Sequence, residues 1–356
     1  MACRGSRWFT ILIFLGAVTA FTATPAFADP IRDAQWHLQF LQVQQAQQYS
    51  QGDGVIVGVV DSGVDAKHPD LAGGVLPGYT IGPYGDPYQD AVGHGTAMAG
   101  LIAAHGRALG IAPRAKILPV KHSATLDGSA LPGGVRIAVD HGAKVLCLAY
   151  AGFDNDIDRG DIQYAIDHDV VVVAGVGNAD TAGGQFPAAY PGVVGAAGVD
   201  RNGNHAQTSV VTSAAVLAAP SVDIMAPDSL SYPGTNGYAV GTGTSNSTAI
   251  IAGAAALVRA KFPRLSAVEV IHRLTATADD KGPPGRDDQY GYGIVNLVKA
   301  LTADVPPLTP SAMPTTAAAP PEPTDRGLPA AVIALLIIAA LAAAGVIVGV
   351  VRARTR

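Results

Sequence analysis

Three short polar blocks in the sequence carry side chains that can cooperate in nucleophilic catalysis. Asp61 directly follows the apolar run Val55 to Val60, His94 lies in Gly93-His94-Gly95-Thr96, and Ser245 stands just before a helical pattern. A carboxylate can hold an imidazole in one tautomer, and the imidazole can then take the proton of a serine hydroxyl. The order Asp, His, Ser along the chain is one of the orders in which such triads occur. We therefore predict an acyl-transfer site built from these three residues.

Each block also has a plain structural interpretation. Asp61-Ser62-Gly63 is typical of a turn, a glycine-flanked histidine is typical of a loop, and Ser245 could serve only as the N-cap of the helix Ser247 to Lys261. A serine at a helix N-terminus also meets the positive end of the helix dipole, where backbone N–H groups can face a developing oxyanion. The three blocks taken in order favour catalysis.

The strands and helices that must position these blocks follow from the hydrophobic pattern. Short β-branched runs predict buried strands, and helical patterns lie between or after them. The predicted strands cover Val55 to Val60, Lys116 to Val120, Val145 to Leu148, Val170 to Ala174 and Val193 to Val199. The predicted helices lie near Thr96 to Ala104, Gly134 to His141, Asp161 to His168, Ser247 to Lys261 and Ala267 to Ala276. This alternation predicts an α/β fold, a single domain with a mainly parallel sheet flanked by helices, in which reactive groups gather at the carboxyl ends of strands.

These blocks resemble the motifs of the subtilases, the subtilisin-like serine proteases. Asp61-Ser62-Gly63 with the trailing His68-Pro69-Asp70-Leu71 looks like the family's aspartate block, and Gly93-His94-Gly95-Thr96 looks like its histidine block. Val176-Gly177-Asn178 resembles the segment that supplies the family's oxyanion-hole asparagine. Other similar landmarks follow in the family's order: Gly110-Ile111-Ala112-Pro113, Phe186 to Pro191, Asp223 to Pro227 and Gly291 to Asn296. The resemblance implies a subtilisin-like domain and a serine endopeptidase that acts on polypeptides.

The resemblance also implies a role for each site residue. Ser245 would attack the scissile carbonyl and form an acyl-enzyme, His94 would take and return the proton, and Asp61 would orient His94. Asn178 would donate its side-chain amide to the oxyanion, with the Ser245 backbone N–H as second donor. The pocket for the residue before the cut bond would be lined by Tyr150, Ala151, Gly152, Gly175, Val176 and Gly177.

The serine block departs from the family's usual Gly-Thr-Ser-Met-Ala, which has a proline soon after. Here Gly243-Thr244-Ser245 is followed by Asn246, Ser247 and Thr248-Ala249, so polar side chains replace the methionine and alanine and the proline is absent. We expect a straighter helix start. The segment Leu148 to Gly152 also lacks the family's Ser-x-Gly-Gly, so a substrate preference does not transfer from the resemblance.

The N-terminus reads as a secretion signal. Arg4 and Arg7 precede the apolar run Trp8 to Phe21, and Ala26-Phe27-Ala28 has the small-x-small pattern that signal peptidase accepts. We predict a signal peptide over residues 1–28. The peptidase domain then covers 29–304, with 29–54 as a short N-terminal extension.

The C-terminus reads as a membrane anchor. Residues 305–327 are rich in Pro, Ala and Thr and predict an extended linker. Leu328 to Val351 has no charge and, at ~1.5 Å per residue, is long enough to cross a hydrocarbon core of about 30 Å. The arginines of the tail 352–356 place that tail in the cytoplasm. The chain is therefore expected to be a single-pass type I protein of the cell membrane, with its catalytic domain on the extracytoplasmic side.

This layout resembles that of the mycosins, the membrane-anchored subtilases associated with type VII secretion. Only residues 29–54 lie between the predicted cleavage site and the first predicted strand, and this stretch is too short for the separate folding pro-domain of many secreted subtilases. The resemblance implies that subunits of a membrane secretion complex are partners.

Composition and the remaining motifs exclude or weaken other classes. A net charge of −5 argues against nucleic-acid binding, and two cysteines, Cys3 and Cys147, exclude a disulfide scaffold. Gly175-Val176-Gly177-Asn178 after a strand could belong to a dinucleotide-binding enzyme, but the third glycine is absent. The acidic cluster Asp154, Asp156, Asp158 and Asp161 lacks EF-hand spacing, so neither a metal site nor a cofactor is predicted. A catalytically silent subtilase body that serves as a structural subunit remains the alternative function.

Overall fold

A computed structural model describes residues 29–122, 133–180, 184–231 and 235–308. The predicted signal peptide, the predicted membrane helix and most of the predicted linker lie outside the described residues. Within that part of the chain, no helix is both long and apolar enough to cross a bilayer.

A seven-stranded parallel sheet forms the centre of the molecule. Its strands are β1 (Ile56–Asp61), β2 (Tyr79–Thr80), β3 (Lys116–Lys121), β4 (Val145–Leu148), β5 (Val171–Gly175), β6 (Val194–Val199) and β7 (Ala215–Pro220). Their spatial order is β2-β3-β1-β4-β5-β6-β7, and every neighbouring pair is parallel. Two further strands, β8 (Ile224–Pro227) and β9 (Tyr238–Gly241), form an antiparallel hairpin. The predicted α/β fold with a mainly parallel sheet is confirmed.

From β2 to β5 one α-helix lies between each pair of consecutive strands, whereas β5 to β9 follow one another with no helix between them in the described residues. The helices are α1 (Pro30–Ala34), α2 (Trp36–Phe40), α3 (Val43–Ala46), α4 (His94–Ala103), α5 (Gly134–Asp140), α6 (Asp156–Asp167), α7 (Thr244–Lys261), α8 (Ala267–Ala276) and α9 (Leu297–Thr302). Helix α6 begins five residues before the predicted start, because the Asn155 side chain caps it by accepting a hydrogen bond from Asp158 N–H. Helix α7 begins at Thr244, three residues before its predicted start, so Ser245 lies inside the first turn.

Side chains of the sheet alternate between two apolar layers. In β1, Val57 and Val59 pack in the layer that contains α4 and α7, whereas Val60 packs in the layer that contains α5. Burial on both faces explains why these strands read as continuous apolar runs. Core packing on both faces therefore fixes the carboxyl ends of the strands, and Asp61 lies on one of them.

The N-terminal extension packs on the domain through α1 to α3. Asp29 caps α1 by accepting from Ile31 N–H, and it also pairs with Arg107 at 3.0 Å. Trp36 donates its indole N–H to the Val222 carbonyl at 3.1 Å. These contacts join the extension to the loop after α4 and to the segment before β8.

Candidate active site

Asp61 and His94 meet at the carboxyl end of β1. Asp61 is the last residue of β1, and His94 is the first residue of α4. His94 Nδ1 lies 2.8 Å from Asp61 Oδ1 and 3.0 Å from Oδ2, and Ser62 N–H donates to Oδ1 at 2.7 Å. The carboxylate is only 6% exposed, whereas the imidazole is 22% exposed. The contact with Asp61 fixes the ring through Nδ1, and part of the ring remains accessible to solvent.

Two close approaches explain the glycines on either side of His94. Gly93 has φ +82°, and a Cβ there would lie 2.0 Å from Asp228 Oδ1. A Cβ on Gly95 would lie 2.0 Å from the Gly63 carbonyl oxygen. A side chain at position 95 would push the start of α4 away from the end of β1, and one at position 93 would displace the Asp228 carboxylate and strain a backbone with positive φ. Gly95 therefore allows His94 to approach Asp61.

A second buried carboxylate, Asp90, organises the same region, and the sequence analysis missed it. Asp90 is fully buried and accepts hydrogen bonds from Ser62 Oγ at 2.9 Å, from Gly93 N–H at 2.8 Å and from both the N–H and the hydroxyl of Thr96. It thus ties the turn after β1 to the first turn of α4. An acidic residue four positions before the histidine was the signal that could have pointed to it.

Electrostatics couple His94 to Asp61. Burial alone lowers the pKa of His94, but the charge and hydrogen bond of Asp61, with the charge of Asp90, raise it above its usual value. Burial alone raises the pKa of Asp61, but the charge and hydrogen bond of His94, the Ser62 N–H bond and the charge of His122 lower it below its usual value. Asp61 is therefore ionised at neutral pH and stabilises the protonated imidazole.

Ser245 is the second residue of α7. The N-cap is Gly243, which has no side chain to cap the helix, so the alternative interpretation of Ser245 as the N-cap does not hold. Ser245 Oγ donates to the Ala149 carbonyl just past the end of β4, at 3.1 Å. In the described residues no hydrogen bond joins it to His94.

Asn178 follows β5 and faces the start of α7. Its Oδ1 accepts from Thr244 N–H at 2.9 Å and from Thr244 Oγ1 at 3.2 Å. With the oxygen held on Thr244, the Nδ2 group lies near Gly243, where a Cβ would be 3.3 Å away. The predicted oxyanion donor is therefore next to the predicted nucleophile.

The two predicted pocket segments lie side by side. A Cβ on Gly177 would be 3.6 Å from the Ala151 Cβ. Gly152 exchanges backbone hydrogen bonds with Phe186 at 2.7 and 3.1 Å. Tyr150 is half-buried and packs against the ring of His122, with ring centroids 4.9 Å apart and the ring planes tilted by 49°. Burial raises the pKa of the Tyr150 phenol, so Tyr150 remains neutral at physiological pH.

Gly175 and Val176, the other two residues predicted for the second pocket segment, lie deeper in the domain. Val176 is fully buried in the apolar layer that contains α5. Gly175 ends β5 against α7, where a Cβ would lie 3.1 Å from Thr244 Oγ1.

The other sequence motifs have structural roles. Between β5 and β6 the described residues contain no helix, so Gly175 to Asn178 does not lead into a dinucleotide-binding turn. In the acidic cluster, Asp161 pairs with Arg136 and Asp154 pairs with Arg159, each at 2.5 Å. Across the described ranges, no group of three or more acidic, histidine or cysteine side chains is arranged to hold a metal ion.

Comparisons with known proteins show the family to which the chain is related. The profile of the subtilase family matches residues 52–293. Fervidolysin from Fervidobacterium pennivorans is 33% identical over 316 residues, which cover 79% of this chain but only 45% of fervidolysin. Subtilisin DY from Bacillus licheniformis is 34% identical over 268 residues, which cover 72% of this chain and 93% of that protein.

A solved structure shares the fold as well. The MycP3 protease from the type VII (ESX-3) secretion system has a TM-score of 0.67 and 26% identity, and the match covers 79% of this chain and 90% of that one. The profile match spans both the aspartate and histidine blocks and the serine block. The chain therefore belongs to the subtilase family of serine endopeptidases.

Proposed function

We propose that Asp61, His94 and Ser245 form a catalytic triad that hydrolyses peptide bonds through an acyl-enzyme. The observation that carries this proposal is the Asp61–His94 pair, at 2.8 Å, on the same end of the sheet as the start of α7. Polar side chains at the carboxyl ends of parallel strands meet at one edge, which is where such folds bind ligands.

The proposed reaction begins with a change at the serine hydroxyl. Its proton, which is donated to Ala149 in the free protein, turns to His94 when substrate binds, and Oγ attacks the scissile carbonyl. Asn178 Nδ2 and the Ser245 backbone N–H then stabilise the oxyanion. The raised pKa of His94 favours the imidazolium that forms in this step. The proton returns to the leaving amine, and water repeats the sequence on the acyl-enzyme.

The substrate pocket of this proposal is formed by residues 150–152 and 175–177. Residues 150–152 come just after β4, and residues 175–177 begin at the last residue of β5; both strand ends lie close to the start of α7, through Ala149 and Gly175. Because Val176 is fully buried, its backbone is the part that would face a peptide.

We further propose that the protease is anchored in the cell membrane by residues 328–351, after removal of residues 1–28, and acts outside the cytoplasm in type VII secretion. The charge-free C-terminal stretch and the arginines after it support the anchor. The similarity to the MycP3 protease supports the secretion role.

The test is covalent labelling of the purified extracytoplasmic chain with a fluorophosphonate probe, followed by peptide mapping. We expect the probe on Ser245, and we expect Ser245→Ala to abolish labelling and peptide cleavage. The matched control is Ser247→Ala, which removes a buried serine two residues further along the same helix. A folded chain that takes no label would favour the silent structural subunit instead.

A further inference from the structure

The polar run after Ser245 is the strongest departure of this chain from the usual family pattern, and the structure gives every side chain in it a partner. Ser247 Oγ donates to the Ala219 carbonyl in β7 at 2.9 Å. Thr248 Oγ1 donates to the Thr244 carbonyl, one turn earlier in α7, at 2.8 Å. Asn246 is different, because it reaches two separate segments of backbone.

The Asn246 amide bridges the ends of β7 and β9. Its Nδ2 donates to the Ser221 carbonyl at 3.2 Å and to the Gly241 carbonyl at 3.1 Å. Both N–H bonds of the amide are thereby used, and the side chain is only 6% exposed. The Ser221 carbonyl also accepts from Gly243 N–H at 3.0 Å. Asn246 therefore closes the turn over residues 241–243 that leads directly into the nucleophile.

This turn is held from the opposite side by Asn178. Asn178 Oδ1 accepts from Thr244 N–H, while its Nδ2 lies against Gly243. The segment 241–244 is thus held by two asparagine amides, by Asn246 at Gly241 and by Asn178 at Thr244. A displacement of the turn would move the Ser245 N–H and Oγ relative to Asn178.

We infer that Asn246 is a positioning residue, whose amide holds the turn 241–243 and so places the Ser245 hydroxyl and backbone N–H for oxyanion formation. The inference rests on the proposed function of Ser245. A methionine at this position has no N–H to donate and could not make either bond. In this chain Asn246 holds the turn 241–243 by hydrogen bonds, whereas a methionine could hold it only by packing against it.

The test compares Asn246→Leu with the wild type and with Ser247→Ala. Leucine keeps the branching and the number of side-chain heavy atoms of asparagine but has no donor, so the variant removes both hydrogen bonds while the site remains filled. We expect kcat for a peptide substrate to fall by about 10- to 100-fold with KM changed less than about threefold, and the rate of fluorophosphonate labelling to fall in parallel. Ser247→Ala also removes a buried bond to β7, but it leaves the turn intact, so it should lower Tm without lowering kcat.

Three outcomes overturn the inference. The first is a folded Asn246→Leu chain with wild-type kcat and labelling rate. The second is an equal loss of kcat in Ser247→Ala, which would reduce Asn246 to a stabilising residue. The third is a wild-type chain that takes no label, which refutes the proposed function and this inference with it. Asn246→Ala repeats the comparison if the leucine variant does not fold, and circular dichroism at the assay temperature verifies folding.

Discussion

His94 is the residue whose charge state controls the proposed reaction. It must be neutral to accept the Ser245 proton, and Asp61 with Asp90 raises its pKa above the ordinary value of about 6.5. We therefore expect activity to be lost as the pH falls through the raised pKa of His94, which lies above 6.5. This direction follows because a raised pKa keeps the imidazole protonated to higher pH.

Asp61→Asn tests this coupling. We expect kcat to fall about 10⁴-fold, because an asparagine leaves His94 in the wrong tautomer. We also expect the acid limb of the residual activity to move to lower pH, because burial, which lowers the pKa of His94, is then opposed by Asp90 alone. A pH–kcat/KM profile of both proteins measures the shift. An acid limb that does not move would show that Asp61 does not set the charge of His94.

Asn178→Ala tests the proposed oxyanion donor. The bond from Nδ2 strengthens only in the transition state, so kcat should fall far more than KM rises. The expected loss is about 10²- to 10³-fold, a magnitude carried over from the equivalent change in subtilisin. Steady-state kinetics with one peptide substrate are sufficient. A rise in KM alone would identify Asn178 as a substrate-binding residue instead.

At the scale of elements, five strands of the sheet could be predicted from the sequence. Because both faces of these strands are buried, their sequences are continuous β-branched runs. Strand β7 could not be predicted, because Ala215–Pro220 reads as an alanine-rich segment and becomes a strand through pairing with β6. The hydrogen bonds of Asp90 could not be predicted either, since they depend on Ser62 and Thr96 being brought to it by β1 and α4, and its place four residues before His94 was the only signal. The contact of Ser245 with Ala149 joins residues 96 positions apart and depends on the fold.

The N-terminal helices contain a pH-sensitive residue. His37, in α2, is fully buried, and neither ring nitrogen has a hydrogen-bond partner in the described part of the chain. Burial lowers the pKa of His37 to about 3. The unfolded chain, with a histidine pKa of about 6.5, therefore binds the proton more readily. His37 costs no stability above about pH 6.5, and its cost grows as the pH falls from there towards 3.

His37→Leu should remove this cost. At pH 5 the wild type should lose about 2 kcal/mol of unfolding free energy, relative to pH 7.5, that the variant does not lose. Urea denaturation of both proteins at the two pH values measures the difference. The control is His141→Leu, which changes an exposed histidine at the end of α5. Equal pH dependence in wild type and His37→Leu would contradict the prediction.

At the scale of the whole molecule, the peptidase domain extends to the first residues of the predicted linker. Arg273 donates to the Ala300 and Ala303 carbonyls, and His272 Nε2 lies 3.2 Å from the Pro306 carbonyl. Residues 309–327 then remain between the described domain and the predicted anchor. Fully extended at ~3.1 Å per residue, they would span about 60 Å. That reach would let the proposed active site act on chains that emerge from a neighbouring membrane complex.

The predicted anchor itself carries a packing motif. Gly345 and Gly349 lie four residues apart, and Ala342 extends the same face of the predicted helix. Such a small-xxx-small face allows close approach by a second helix in the membrane. We expect Gly345→Leu with Gly349→Leu to weaken co-purification with membrane partners while the extracytoplasmic peptidase activity stays unchanged, because the span remains apolar and long enough to insert. The matched control is Ala340→Leu with Ala343→Leu, which adds bulk on the opposite face. Unchanged association in the glycine variant would reduce this helix to an anchor, and loss of association in both variants would show that bulk anywhere on the helix disturbs the complex.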